Sequence, residues 1–98
     1  MRKVAKAKTV KEVLIAARWI LRKFGWRQKS FGTKDVGFCA IGAVGQVVMS
    51  DNSMYTPAED ALRLAVGERS IITWNDRRGR TKGEVLSAFT RAIRLAKS

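Results

Sequence analysis

The sequence predicts a mostly α-helical fold, a compact single-domain bundle of about four helices with a short hairpin or extended segments in the connections. Apolar residues recur at helical spacing in several segments, and three of those segments open with the capping-box pattern Thr-x-x-Glu. The chain has 98 residues, 46% of them hydrophobic, which suffices for one core and not for two. No internal repeat is evident, so one domain is the simplest arrangement.

The first helix is predicted to begin at about Val10. The segment Thr9–Glu12 is a capping box, in which each of the two side chains accepts a hydrogen bond from a backbone N–H at the helix start. Gly25 stands where a C-terminal cap glycine belongs. The apolar stripe between them consists of Val10, Val13, Leu14, Ala17, Leu21 and Phe24.

Two segments of different composition follow. Residues 26–37 combine glycines with basic residues, which is typical of an irregular loop or a short hairpin. Residues 36–49 are the most apolar stretch and are predicted to form a buried central helix. Each glycine in this stretch costs about 1 kcal/mol of helix propensity relative to alanine, so close packing has to offset that cost.

The second half of the chain predicts two further helices. Thr56–Glu59 is another capping box, with Pro57 at the favoured first helical position, and Gly67 ends this third helix. Residues 71–74 are too few to classify by periodicity. Thr81–Glu84 is the third capping box. The last helix continues with the apolar stripe Val85, Leu86, Phe89, Ala92, Ile93 and Ala96.

The net charge of +12 is the largest departure from an average composition. Basic residues concentrate in residues 1–34 and 77–98, whereas residues 35–76 carry a small excess of acidic residues. Residues 1–8 are predicted to form a flexible basic arm, followed by a single helical domain over residues 9–98. A surface of this kind favours an acidic partner.

Composition excludes several kinds of site. One cysteine and no histidine leave no intrachain disulfide and exclude a structural zinc site, and no P-loop pattern is present. We therefore expect no metal and no cofactor.

The sequence shows no membrane or export signal. The longest apolar stretch falls short of the roughly 20 residues that cross a bilayer, and no signal-peptide core follows the basic N-terminus. We expect a cytoplasmic protein with no membrane partner.

The candidate binding residues are cationic. The turn Arg77–Arg80 places three guanidinium groups directly before a helix N-terminus, which favours a nearby phosphate or carboxylate; the alternative is a solvated turn. Trp26 and Phe31 alternate with basic residues, as in proteins that bind single-stranded nucleic acid, or they cover the core. The full candidate set is Arg77, Arg78 and Arg80 in the turn, Lys11, Arg18 and Arg22 on one strip of the first helix, and Arg27, Lys29 and Lys34 in the loop.

Two further segments are interpreted as structural. Cys39 lies between apolar residues, and the chain has no histidine to act as its base, so packing is favoured over nucleophilic catalysis. Trp74, Asn75 and Asp76 contain ordinary turn formers, and Asp76 is expected to pair with the arginines that follow it. The alternative is a carboxylate placed in a pocket. No residue is assigned a catalytic role.

Three short motifs resemble those of a small uncharacterised family found in bacteria and their phages. They are C-x-x-G-A at residues 39–43, which includes Cys39 and Gly42, W-N-D at residues 74–76, and R-T-x-x-E-V at residues 80–85. The resemblance covers roughly residues 10–95 and implies a helical domain of frequent phage or prophage origin. Because that family has no established activity, the resemblance implies no catalytic residue.

The sequence therefore predicts a binding protein that acts without catalysis on an acidic macromolecule, either nucleic acid or an acidic face of a host protein complex. Phage association adds, by analogy, inhibition of a nucleic-acid-based defence such as a CRISPR system. The alternative is a small enzyme that acts on an anionic substrate through Asp76 or Cys39, although the sequence lacks a histidine and a clear carboxylate pair. The sequence leaves the oligomeric state open.

Overall fold

A computed structural model describes residues 9–49 and 52–96 of the chain, and these residues form five α-helices and one small β-hairpin. The first helix, α1, spans Val10–Phe24. Its predicted capping box is confirmed, because the Thr9 hydroxyl accepts from the Glu12 N–H and the Glu12 carboxylate accepts from the Thr9 N–H, both at 3.1 Å. Gly25 caps the C-terminal end with a φ of 101°, as predicted.

A small hairpin follows α1, which is one of the two alternatives that the sequence left open for this segment. Strands β1, Gly32–Thr33, and β2, Gly37–Phe38, pair antiparallel. The hairpin lies against the end of α1, where the Phe38 N–H donates to the Gly25 carbonyl at 2.9 Å. A Cβ on Gly37 would come within 2.9 Å of the Gly25 carbonyl group, so this approach requires a glycine.

The central helix, α2, spans Ala40–Val48 and is shorter than predicted. The predicted start at residue 36 is wrong because Phe38 uses both its backbone N–H and its carbonyl in contacts with residues 25 and 27. Cys39 instead is the N-cap residue of α2. The first five residues of α2 are buried, which confirms the prediction of a core helix.

The third helix, α3, spans Tyr55–Val66 and continues directly from a short 3-10 helix, Asn52–Met54. The predicted capping box at Thr56 is wrong. Met54 is the N-cap residue and provides no side-chain hydrogen bond, since the 3-10 turn leads straight into the helix. Gly67 ends α3 in the left-handed conformation with a φ of 70°, as predicted.

The unclassified segment is a short helix, α4, spanning Ile71–Asp76 and capped by Ser70, whose hydroxyl accepts from the Thr73 N–H at 3.1 Å. The last helix, α5, spans Lys82–Leu95, and its predicted capping box with Thr81 and Glu84 is confirmed.

Helix α1 packs against α2, α3 and α5, and one hydrophobic core runs between these four helices. The predicted mostly helical, single-core fold class is confirmed. In the described part of the chain no helix is both long and apolar enough to cross a membrane. The predicted basic arm, residues 1–8, lies outside the described residues.

Candidate functional site

The arginine turn that precedes α5 is largely engaged by the protein itself. Arg77 forms a two-point ion pair with Glu68, with N–O distances of 3.0 and 3.3 Å. This hydrogen bonding lowers the pKa of Glu68 and raises that of Arg77. Arg78 is exposed, and no contact holds its side chain within the described part of the chain. The turn therefore presents fewer available guanidinium groups than its sequence suggests.

Arg80 is fixed in position by three contacts. Its Nε donates to the Trp74 carbonyl at 2.9 Å, and its guanidinium carbon lies 4.1 Å from the centroid of the Trp74 ring. A guanidinium nitrogen also lies 3.4 Å from the Glu84 carboxylate. Because the stacked geometry is rigid, Arg80 presents its remaining nitrogen in one orientation.

Asn75 is the hydrogen-bonding centre of the W-N-D segment, and its side chain is fully buried. Its Oδ1 accepts from the Trp26 indole N–H at 2.6 Å and from the Ala40 N–H at 3.0 Å. Its Nδ2 donates to the Arg27 carbonyl at 3.2 Å and to Asp76 Oδ1 at 3.0 Å. One amide thus satisfies polar groups of the loop after α1, the start of α2 and the end of α4.

Asp76 belongs to the same network. Its Oδ1 accepts from the Lys29 N–H at 2.9 Å, which holds Lys29 at a positive φ of 77°. The predicted ion pair between Asp76 and the following arginines is wrong for the described residues, because Arg77 pairs with Glu68 and Arg80 with Glu84. Gln28 completes the network by donating from Nε2 to the Asn75 and Arg77 carbonyls.

Cys39 lies at the edge of a small cavity of about 190 Å³ that Asp76 and Phe31 also line. Its Sγ accepts a hydrogen bond from the Gly42 N–H at 3.2 Å and so caps α2. Burial raises the pKa of the Cys39 thiol above its ordinary value, and the negative charge of Asp76 adds to the effect. The thiol is thus held in its protonated form, which is the less nucleophilic one.

The strip predicted on α1 divides into two parts. Arg18 donates to the Thr90 hydroxyl of α5 at 2.9 Å and lies partly buried between the two helices. Arg22 is exposed and Lys11 is half-buried, and neither pairs with a carboxylate in the described part of the chain. Arg18 therefore links α1 to α5, while Arg22 and Lys11 leave their charges on the surface.

The predicted basic residues of the loop take up different positions. Arg27 turns back onto the Gln28 carbonyl at 3.3 Å. Lys29 is exposed at the tip of the Asp76 network, and the Lys34 ammonium lies 5.8 Å from the centroid of the Phe24 ring. Phe31 is 60% exposed. Trp26 does not stand free, because its indole N–H is bonded to Asn75.

A groove of about 740 Å³ runs between α3, α4 and α5. We call it the α5 groove. Its apolar wall includes Val66 and Trp74, and its charged residues are Arg80, Arg91 and Arg94 together with Glu84, so its rim is basic on balance. Arg91 and Arg94 pair with no carboxylate in the part of the chain that the structure describes. At a rise of about 1.5 Å per residue, the α5 side of the rim is about 15 Å long between residues 84 and 94.

Sequence reasoning missed Arg91 and Arg94 as binding candidates, and it missed Trp19 altogether. Trp19 is 55% exposed on α1. Its position could have indicated this exposure, because Trp19 follows the buried Leu14 by five residues, which is about 140° around a helix. The two arginines lie on the polar side of the last helix, but their grouping with Arg80 depends on how α5 packs against α3.

Comparison with known proteins gives one match. A family model described as a family of unknown function (DUF6197) matches residues 5–95. This match confirms the expected membership of an uncharacterised family, while the three motifs and the phage origin stay predictions. No curated protein and no solved structure matches the chain.

Proposed function

The chain belongs to DUF6197, a family of unknown function, and we propose from its own surface that it binds an acidic macromolecule without catalysis. The observation that carries this proposal is the α5 groove, whose rim holds three arginines along one side. An open groove of about 740 Å³ with an apolar wall is large enough for part of a chain-like ligand to lie in it.

Charge and geometry in the groove favour an anionic ligand. Arg91 and Arg94 carry full charges with no carboxylate partner among the described residues, so a ligand anion would displace only water from them. Arg80 is already ordered by Trp74 and Glu84, so its side chain loses little further freedom on binding. Guanidinium groups pair with both phosphates and carboxylates in two-point geometry.

The other predicted basic residues extend the proposed surface beyond the groove. Arg22 and Lys11 lie on α1, which packs against α5, and Arg18 bonds to Thr90 between the two helices. Arg78, Lys29 and Lys34 are exposed elsewhere on the surface. Long-range attraction from this charge would speed the encounter with a polyanion and fall as salt screens it.

Two classes of target fit this surface, namely nucleic acid and an acidic face of a host protein complex. We extend the proposal to a phage or prophage protein that inhibits a nucleic-acid-based host defence such as a CRISPR system. The extension rests on the motif resemblance. It predicts that expression of the protein raises phage plating efficiency on a host with an active CRISPR system, whereas unchanged plating would count against it.

The groove is tested by the double variant Arg91→Gln/Arg94→Gln. Its matched control is Arg69→Gln/Lys82→Gln, which removes the same charge from exposed residues that do not line the groove. Binding to labelled single- and double-stranded nucleic acid is measured from low salt to about 0.15 M. We expect the groove variant to lower the slope of log affinity against log salt by about two, and the control to leave it nearly unchanged.

Equal losses in the two double variants would remove the α5 groove from the binding surface. If no nucleic acid binds, a pull-down from phage-sensitive cells with the wild type and both variants addresses an acidic protein target. The proposal fails if neither experiment yields a partner whose binding depends on salt and on Arg91 and Arg94.

A further inference from the structure

Trp19 is an exposed aromatic side chain on the face of α1 that points away from the core. It is 55% exposed, and Ile15, one turn earlier on the same face, is 43% exposed. A large side chain that gains so little from burial is informative, because tryptophan is highly buried on average. The core does not account for a tryptophan at this position.

Basic residues from two elements lie against the Trp19 ring and the neighbouring Phe24 ring. The Lys23 ammonium lies 5.6 Å from the Trp19 ring centroid and 5.8 Å from that of Phe24. Lys34 approaches from the hairpin and lies 5.8 Å from the Phe24 ring. We call Trp19, Lys23, Phe24 and Lys34 the Trp19 cluster. Neither lysine pairs with a carboxylate within the described part of the chain.

Phe24 holds the tryptophan ring in place. The two rings meet edge-on, with centroids 6.3 Å apart and planes at 87°, and Phe24 in turn meets the buried Phe38 in the same manner. Such contacts favour one orientation of each ring. The cluster therefore offers an ordered aromatic face with two lysine cations beside it.

We propose that the Trp19 cluster binds single-stranded nucleic acid, with a base stacked on Trp19 and the adjacent phosphates beside Lys23 and Lys34. This inference rests on the proposed function and specifies its partner. Proteins that bind single strands combine these two features, a stacking surface and flexible cations along the backbone. Because a lysine side chain is long and flexible, Lys23 can leave the ring for a phosphate when a base arrives.

The chemistry of the cluster favours a single strand over the other polyanions. The bases of a duplex already stack on each other, so a duplex offers its phosphates to the lysines but no base face to Trp19. A polyanion without bases, such as heparin, offers only charge. A preference for single strands that depends on Trp19 therefore distinguishes stacking from simple charge attraction.

Tryptophan fluorescence tests this inference directly. The chain has 3 tryptophans, of which Trp26 is bonded to Asn75 and Trp74 is only 8% exposed beneath Arg80. Because Trp74 also lines the α5 groove, only the quenching that is lost in the Trp19→Leu variant is assigned to Trp19. The wild type is titrated at about 0.15 M salt with a single-stranded oligonucleotide, with the duplex of the same sequence, and with heparin. We expect this Trp19-dependent quenching to be strong with the single strand and absent with the duplex and with heparin.

Variants separate stacking from charge. Trp19→Leu should abolish the Trp19-dependent quenching and weaken single-strand binding about tenfold. Its heparin affinity should be unchanged. Trp19→Tyr retains an aromatic ring and should keep most of the single-strand affinity. The control Leu64→Ala removes another exposed apolar side chain, 79% exposed on α3, and should behave as the wild type. Circular dichroism checks that each variant is folded.

The outcomes are distinct for the two proposals. If Trp19→Leu binds the single strand as tightly as the wild type does, or if the wild type prefers the duplex, the Trp19 cluster is not a stacking site. Salt-dependent polyanion binding that survives this result leaves the proposed function standing. Binding of an acidic protein but of no oligonucleotide also overturns the inference, and absence of any salt-sensitive partner overturns both.

Discussion

Gly42 lies where the backbone of α2 packs directly against Phe31, the residue before β1. A Cβ at this position would overlap the Phe31 carbonyl oxygen, which also accepts the Cys39 N–H at 3.2 Å. At Gly45, one turn later in the same helix, an added Cβ would meet no atom within 4 Å. The two glycines have the same helix propensity and differ only in the space around them.

Alanine at these two positions should therefore have opposite effects. We expect Gly42→Ala to lower the free energy of unfolding by about 1–3 kcal/mol, because the added methyl group forces the hairpin away from α2. Gly45→Ala should raise it by about 0.5–1 kcal/mol through helix propensity. Urea denaturation of both variants measures the difference, and shifts of the same sign would contradict this account.

Cys39 tests the alternative of an enzyme that uses its thiol. Because burial raises its pKa, the thiol should hold less thiolate at neutral pH than a free cysteine does. We expect iodoacetamide to alkylate the native protein at least about tenfold more slowly than the urea-unfolded chain, with the native rate rising at high pH. Alkylation of the native protein faster than that of the unfolded chain would indicate an activated thiol and revive the enzymatic alternative.

Helices α3 and α5 show how the same sequence pattern leads to different starts. Thr56–Glu59 and Thr81–Glu84 are both capping boxes by sequence, but only Thr81 caps a helix. The 3-10 turn before α3 carries the helix start back to Tyr55 and places Thr56 inside the helix. No local pattern in the sequence distinguishes the two segments.

Matched substitutions at the two threonines measure this difference. Thr81→Ala should lower the free energy of unfolding by about 1 kcal/mol, because the Glu84 N–H loses its acceptor. Thr56→Ala should change it by less than about 0.5 kcal/mol, since Thr56 is exposed and caps nothing. Thermal unfolding of both variants provides the measurement. An equal loss of unfolding free energy in both variants would show that the Thr56 side chain also caps its helix.

The boundaries of the other helices were predictable where nearby residues determine them and unpredictable where distant residues do. The ends of α1 and the start of α5 were predictable because their caps lie within four residues of sequence. The start of α2 was not, because it depends on hydrogen bonds that Phe38 makes to residues 25 and 27. Helix α4 is six residues long, which is too short for a periodic signal.

At the scale of the whole molecule, the Asn75 side chain connects α4 to the loop after α1 and to the start of α2. This side chain connects residues that are 35 to 49 positions away in sequence. Asn75→Ala should lower the free energy of unfolding by about 2–4 kcal/mol, because the Trp26 and Ala40 N–H groups are left without an acceptor. Chemical denaturation checks this value against Thr73→Ala, an exposed control in the same helix, and a loss below about 1 kcal/mol would show that water replaces the amide.

The sequence predicted which residues of the candidate sites are charged, but it did not predict how these residues are arranged in space. The sequence shows which residues are basic, but the partners that engage Arg77 and Arg18 lie 9 and 72 residues away. The α5 groove and the Trp19 cluster each combine residues from separate elements, so no local pattern indicates them. Spacing on α1 could have identified Trp19, whereas the approach of Lys34 depends on the hairpin.

The Asn75 network also has a consequence for synthesis of the protein on the ribosome. Trp26, Arg27 and Ala40 emerge well before the residue that satisfies their polar groups. At a chain elongation rate of roughly 5–20 residues per second, α4 is synthesised several seconds after α1 and α2. The N-terminal half should therefore remain a target for chaperones and proteases until α4 has been released, so that the native state forms late and in one step.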